Sequence, residues 1–221
     1  MESGHSSRPT VDFYLDVSCP WSYLALQRLR EAAIRTGTSI RYRPVLVDQI
    51  LAVANPALAE SRLDPVPARA RYQAKDLADW VRYCGLRIRR PDRWPLVAEW
   101  AQRGVVAAST MTGGRPEAYL AAVFAALFAD NRDIGELAVV EAAATEAGLE
   151  TAGFAALIRE DATRLEVERN GTELLEHGGF GTPTFIVAGD LYFGNDRLPL
   201  VESALARHAG MHLVLPGAHG A

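Results

Sequence analysis

Cys19-Pro20-Trp21-Ser22 is the point in the chain where residue types and spacing suit thiol chemistry. Proline is favoured at the first position of a helix, where its missing N–H would have no partner anyway. With Pro20 in that position, Cys19 is the helix cap, next to unpaired backbone N–H groups and the positive end of the helix dipole. Both favour thiolate over thiol, and cysteines so placed titrate at roughly 3.5–7.5 instead of about 8.5. The position suits a nucleophile or a group that handles another thiol; a buried structural cysteine is the plainer alternative. Ser22 stands where a dithiol redox centre would carry its second cysteine, and a hydroxyl does not resolve a mixed disulfide. Disulfide exchange here would stop at the mixed disulfide unless an outside thiol released it. The other cysteine, Cys84, shares the apolar face of a helical stretch with Ala74, Leu77 and Val81 and reads as structural.

Two segments further along could complete a ligand site. Gly181-Thr182-Pro183-Thr184-Phe185 puts a proline at the opening of a strand, where it removes a ladder donor. A cis Thr182-Pro183 bond would account for it and turn the Thr182 backbone toward the first helix, ready to pair with an extended thiol peptide. A trans proline on a sheet edge is the alternative. Gly194-Asn195-Asp196-Arg197 follows the last strand. Asn195 or Asp196 can cap the closing helix. The same residues can hold a charged ligand end, an Asp favouring ammonium and backbone N–H groups a carboxylate. His5, His177, His208, His212 and His219 are scattered, and Gly210 interrupts the His208/His212 pair, so no metal site is read. Trp94, Trp100, Phe124 and Phe128 could line an aromatic pocket, although their helical spacing favours core packing.

The elements that must position these groups follow from hydrophobic periodicity. Residues 11–17 alternate as a strand, a helix runs from Pro20 to a stop at Gly37, and residues 40–47 form a second strand. Strand, helix and strand so close together make a βαβ unit with parallel strands. From residue 51 to 177 the pattern is helical throughout, with Pro116 and Thr151 as helix starts and Gly178-Gly179 as a stop. Strands then return on either side of Gly189-Asp190, a two-residue hairpin signal, and a helix closes the chain over residues 196–208. The expected fold is therefore α/β: a thioredoxin-like order, β-α-β then β-β-α, interrupted by a large all-helical insertion. In residues this divides the chain into 11–50 with 179–209 as the α/β part, 51–178 as the insertion, and loosely held termini at 1–10 and 210–221. A join between two such parts is a common place for a ligand cleft.

Composition bounds the function. The chain has 221 residues, 49% apolar and 23% charged, with a net charge of −4. This is ordinary for a folded globular protein and lacks a basic footprint for nucleic acid or an anionic membrane surface. No apolar run approaches the ~20 residues that span a bilayer, and the polar start lacks the apolar core of a secretion signal. Two cysteines imply no disulfide framework. The expected setting is the reducing cytoplasm.

Taken together, Cys19-Pro20-Trp21-Ser22-Tyr23-Leu24-Ala25, Gly181-Thr182-Pro183-Thr184-Phe185 and Phe193-Gly194-Asn195-Asp196-Arg197-Leu198 resemble the 2-hydroxychromene-2-carboxylate isomerases. With the kappa-class glutathione transferases, these belong to the DsbA-like thioredoxin superfamily. The resemblance runs over about residues 11–207 and includes Tyr72, Asp76, Trp80 and Gly85. It implies a thioredoxin core and a helical insertion with glutathione, or another small thiol, bound between them. It puts Cys19 where the family usually has a serine that activates the glutathione sulfur, and Ser22 at the family's second serine. Thr182, followed by Pro183, falls at the residue whose backbone meets the cysteinyl part, and Asn195 and Asp196 where the γ-glutamyl end is held. The family's Asn-x-Pro-Pro stretch is matched only approximately, by Asn55-Pro56 and Pro65-Val66-Pro67. The implied activity is isomerisation of an aromatic or conjugated small molecule by reversible thiolate addition to a double bond, in a homodimer. A glutathione transferase or one-cysteine oxidoreductase, a cofactor-free isomerase with Cys19 as nucleophile, and a non-catalytic binding protein are the alternatives.

Overall fold

In the computed structural model, residues 9–63, 66–93 and 96–211 are described. Trp94 and most of the two terminal stretches lie outside them; Thr10, expected to be part of a loose terminus, opens the first strand. The chain begins β1 (Thr10–Leu15), α1 (Pro20–Thr36), β2 (Ser39–Pro44). Pro20 is at the first helical turn of α1, and Gly37, at φ 64°, closes it with its N–H on the carbonyls of Ala33 and Ile34. Helices follow: α2 (Val47–Ala54), α3 (Pro56–Leu63), α4 (Pro67–Cys84), α5 (Glu99–Thr110), α6 (Pro116–Phe128), α7 (Leu137–Glu146), α8 (Thr151–Leu157) and α9 (Asp161–Glu176). The chain returns through β3 (Thr184–Val187) and β4 (Asp190–Phe193) to a single 3-10 turn (Asn195–Arg197) and α10 (Leu198–His208).

The sheet has the order β2-β1-β3-β4. β1 runs parallel to β2 and antiparallel to β3, and β3 antiparallel to β4. Alternation along β1 sends Val11, Phe13 and Leu15 to one face, where they join Leu29 of α1, Leu205 of α10 and Phe185 of β3. Phe13 and Phe185 are register partners and stack with ring centroids 5.2 Å apart. Tyr14 and Ile186 point to the other face, which Ile50 of α2 and Leu174 of α9 cover. The stretch expected to be an insertion thus supplies the second face of the sheet at both of its ends. Both expected strands end earlier than periodicity suggests: residues 16–19 are the turn into α1, and Val47 starts a helix instead of ending a strand.

The hairpin turn lies one residue earlier than the Gly189-Asp190 signal. Val187 pairs with Asp190, leaving Ala188-Gly189 as the two-residue loop, with φ of 49° and 91°. Mirror-image hairpin turns need positive φ at both positions, which matches the twist of the flanking strands. An alanine there costs about 1–2 kcal/mol, because its Cβ crowds the following carbonyl. Ala188→Gly is expected to raise the midpoint of thermal unfolding by roughly 2–4 °C, read by circular dichroism; an unchanged or lowered midpoint would show that the turn carries no such strain.

Candidate thiol site

The site starts from the loop between β1 and α1. Asp16 is buried there, 2% exposed, and its Oδ1 accepts the Ser18 N–H at 2.7 Å and the Ser18 hydroxyl at 2.6 Å. Its Oδ2 accepts the Val47 N–H at 2.8 Å, so a loop carboxylate satisfies a free donor at the start of α2. Its carbonyl accepts the Cys19 N–H at 3.0 Å, and its own N–H meets Ser22 Oγ at 3.4 Å. Burial pushes the Asp16 carboxyl up, against the hydrogen bonds from Ser18 and Val47 that hold it down. Nothing local in the sequence marked this residue out.

Cys19 occupies the expected cap position of α1, with extended backbone at φ −90° and ψ 114°, but its side chain makes no capping hydrogen bond. The thiol donates instead to the carbonyl of Thr182 at 3.5 Å, 163 residues away in the chain. The expected lowering of its pKa is reversed. Burial pushes the thiol up, and the hydrogen bonds from Ser22 and Thr182 only partly offset it. The negative carboxyl of Asp16 acts in the same direction as burial. Ser22, expected beside Cys19 in the catalytic pair, is fully buried and meets the cysteine from beneath the surface.

Thr182 and Pro183 form a cis peptide, as the sequence anticipates. Thr182 is 7% exposed, and its side chain lies against the sulfur of Cys19. Phe193 of β4 braces this turn: it meets Phe180 at 4.5 Å between ring centroids, and a Cβ on Gly181 would sit 3.0 Å from its ring. The same strand leads into Asn195 and Asp196. Asn195 is 3% exposed and faces inward, where Arg28 Nη1 donates to its carbonyl at 2.7 Å and to its Oδ1 at 2.8 Å. Asp196 faces outward, its side chain 54% exposed beside Arg197 at 3.6 Å. Trp80 of α4 lies over Arg28, 4.8 Å from ring centroid to Cζ. Arg28 and Trp80 therefore stand behind the site; the sequence gives Arg28 no local signal, since its partner is 167 residues away.

A cavity of about 210 Å³ opens beside the thiol loop, lined by Asp16, Ser18, Val47, Asp48, Ala98 and Glu99. It has the loop on one wall and the starts of α2 and α5 on the others. A larger cavity of about 810 Å³, lined by Ile34, Gly37, Tyr42 and Glu117 among others, sits at the far end of α1 and contains none of the thiol-site residues. Phe124 and Phe128 are core residues, stacked with Tyr23 at 4.8 Å and 5.9 Å, and Trp100 carries Arg103 over its ring. Cys84 is half-buried. Among the described residues, no group of three or more His, Cys, Asp or Glu is placed to hold a metal ion, and no helix is long and apolar enough to cross a membrane.

The model of the DSBA-like thioredoxin domain matches residues 10–206, and the chain belongs to that family. Among curated relatives, 2-hydroxychromene-2-carboxylate isomerase from Sphingobium xenophagum is 29% identical over 200 residues, covering 89% of this chain and 97% of the relative. A solved structure of a 2-hydroxychromene-2-carboxylate isomerase superposes with a TM-score of 0.73 at 24% identity, over 90% of this chain and 95% of that one. The cytosolic disulfide reductase DsbM of Pseudomonas aeruginosa, solved with GSH, gives a TM-score of 0.63 at 22% identity, over 90% and 96% of the two chains. At these identities the two structures show a shared fold.

A thiol held up by burial should alkylate slowly, because only the thiolate attacks. In a Cys84→Ser variant, the rate of iodoacetamide modification of Cys19 is expected to fall below that of free cysteine at pH 8 and to go on climbing above about 8.5. A rate that levels off below pH 7 would mean that the helix terminus outweighs burial.

Proposed function

We propose that this chain is a thiol-dependent isomerase in which Cys19 polarises the sulfur of a bound small thiol, most simply glutathione. The observation that carries the reading is the meeting of the Cys19 thiol with the backbone of Thr182 next to a turn that presents Asp196 outward. These groups fit a γ-glutamyl peptide. Asp196 offers an exposed carboxylate, weakly paired with Arg197, for an ammonium group. The Thr182 backbone lies within hydrogen-bond reach of the sulfur of Cys19.

When bound, glutathione would supply the thiolate that adds to the conjugated double bond of the substrate, lets the resulting single bond rotate, and leaves again unchanged. The chain's own residues act around that chemistry. Cys19, held as a thiol by burial, would turn its single S–H from the Thr182 carbonyl to the neighbouring sulfur and so favour the charged form of that sulfur over its own. Ser22 and Asp16 keep Cys19 in place from below. The cavity beside Asp16 and Ser18 gives a conjugated substrate access to the same loop. A second reading, one-cysteine thiol–disulfide exchange, is favoured by the cysteine itself, which stands where the related isomerases usually carry serine. Burial of the thiol weighs against it, as it does against Cys19 as the nucleophile of a cofactor-free isomerase.

The test uses the reduced protein and 2-hydroxychromene-2-carboxylate as the probe substrate. Isomerisation is expected only with added glutathione. Asp196→Ala should raise the KM for glutathione roughly tenfold or more, as loss of a charged hydrogen bond predicts, with kcat little changed. Isomerisation without any added thiol would overturn the glutathione-dependent mechanism. Faster reduction of a glutathionylated peptide than isomerisation would favour the second reading.

A further inference from the structure

The cavity of about 810 Å³ has the size of a small-molecule pocket. α1 is 17 residues long, roughly 25 Å, and this cavity lies at the opposite end of it from the thiol loop. Its walls are largely apolar: Ile34 of α1 and Ile40 of the edge strand β2, then Pro116, Ala118 and Ala121 of α6. Ile34 is left 79% exposed there, the most of any large apolar side chain among the described residues. The polar groups set into these walls narrow what could cover it. Tyr42 lines the cavity with a hydroxyl shut off from solvent beside Glu117, and Glu117 accepts from Arg30 Nε at 2.9 Å. Burial, reinforced by the Glu117 carboxylate, raises the Tyr42 phenol, so it stays a neutral donor. Arg30 and Glu117 are both half-exposed, which makes their pair weak, and Arg30 has no other acceptor among the described residues. Arg115 is exposed, has no acidic partner among the described residues, and makes no side-chain bond to the helix it precedes. Pro116 opens α6 without an N–H, and the Tyr119 N–H goes to the Arg115 carbonyl. The first-turn N–H groups of Glu117 and Ala118 are left over, and both residues line the cavity. The lining thus sets two arginines and the positive end of α6 against one glutamate, in a chain whose net charge is −4.

We propose that this cavity is a second ligand site, for a small organic acid with an aromatic or branched apolar body, whose carboxylate is received by Arg30, Arg115 and the free N–H groups of α6. Guanidinium donors and a helix N-terminus both call for anionic oxygen. Ile34, Ile40 and Ala121 cover the apolar body, which gives the exposed isoleucine its partner. Glu117 already takes up one of the two arginine charges, so the lining matches a single carboxylate and would leave the second charge of a di-acid unpaired. The site shares no residue with the thiol loop or with the turn that carries Thr182 and Asp196. It goes beyond the thiol-dependent reading and stands without it.

The test is a pair of calorimetric titrations, with 4-phenylbutyrate and with 4-phenyl-1-butanol, which keeps the apolar body and lacks the charge. The wild-type protein is expected to bind the acid about tenfold more tightly, the size of one charge-assisted hydrogen bond. Arg30→Gln and Arg115→Gln should each lower that preference, and the double variant should abolish it while leaving the affinity for the alcohol unchanged. Ala121→Trp fills the cavity and should weaken both probes alike. All three positions are exposed, so the variants keep the fold, which circular dichroism checks. Added glutathione should leave both affinities as they were. Equal affinity for the two probes, or a preference that survives the double variant, overturns the proposal. Competition by glutathione would put the probe at the thiol site, and binding that Ala121→Trp leaves intact would put it elsewhere; either overturns it too. A dimer in sedimentation that Ala121→Trp breaks apart would give the cavity to a second copy of the chain. Binding of neither probe at millimolar concentration would remove the site and leave the thiol reading standing.

Discussion

Asp16 has four polar groups, and every one of them is engaged within the loop that carries Cys19 or at the start of α2. Its carbonyl holds the Cys19 N–H, its N–H meets Ser22 Oγ, one carboxylate oxygen holds Ser18 twice, and the other holds Val47. The turn out of β1, the entry into α1 and the first turn of α2 are thereby fixed to one another through a single residue. An unpartnered Val47 N–H in this buried position would cost about 1–3 kcal/mol, so α2 has no equally good place to begin. The carboxyl is held above its ordinary range by burial. Because the folded state binds that proton more tightly than the unfolded chain does, stability declines as pH rises from the unfolded value toward the folded one. Three donors limit that decline. The position of Cys19 is a consequence of this arrangement and needs no capping bond of its own.

The thiol itself illustrates two opposed effects of one location. A helix terminus offers a positive potential and free N–H groups, which favour thiolate. The same location, half closed in by Thr182, Ser22 and the buried Asp16, strips away part of the water that a thiolate needs. Dipole effects of this kind are worth about 0.3–1 kcal/mol at exposed sites, whereas burial of a charge without a paired cation costs several kcal/mol. Desolvation therefore decides the direction. A cysteine that stays protonated is a poor attacking group and a serviceable hydrogen-bond donor, which is the role a serine would fill at this position.

The parts of the fold readable from the sequence are those set by local chemistry. Pro20 and Gly37 bound α1, alternation marks β1, and the glycine of the hairpin brings the turn to within one residue; the shift arises because Ala188 takes a left-handed conformation that its residue type does not advertise. Thr182, Pro183 and Cys19 were legible as a pair of segments, and the sheet order brings them together. What stayed hidden depends on partners far apart in sequence. Asp16 meets α2 31 residues on, Arg28 meets Asn195 167 residues on, and Ile50 and Leu174 meet only when α2 and α9 cover the second face of the sheet. Hydrophobic periodicity records that such helices bury a face, without recording what they bury it against.

The helical block reaches the thiol site through specific contacts at each of its corners. Trp80 packs on Arg28 behind Asn195, Gln102 of α5 donates to the Val45 carbonyl at 2.8 Å just before α2, and Phe124 and Phe128 stack on Tyr23 of α1. These contacts fix the block relative to the thiol loop while leaving two different sets of residues in charge of two different surfaces. The turn that presents Thr182, Asn195 and Asp196 is built from α1, β3 and β4. The cavity beside Asp16 and Ser18 is walled by the starts of α2 and α5. Only the loop from Asp16 to Cys19 belongs to both. A change at the start of α2 or α5 can therefore reshape that cavity without disturbing the turn that carries Thr182, Asn195 and Asp196.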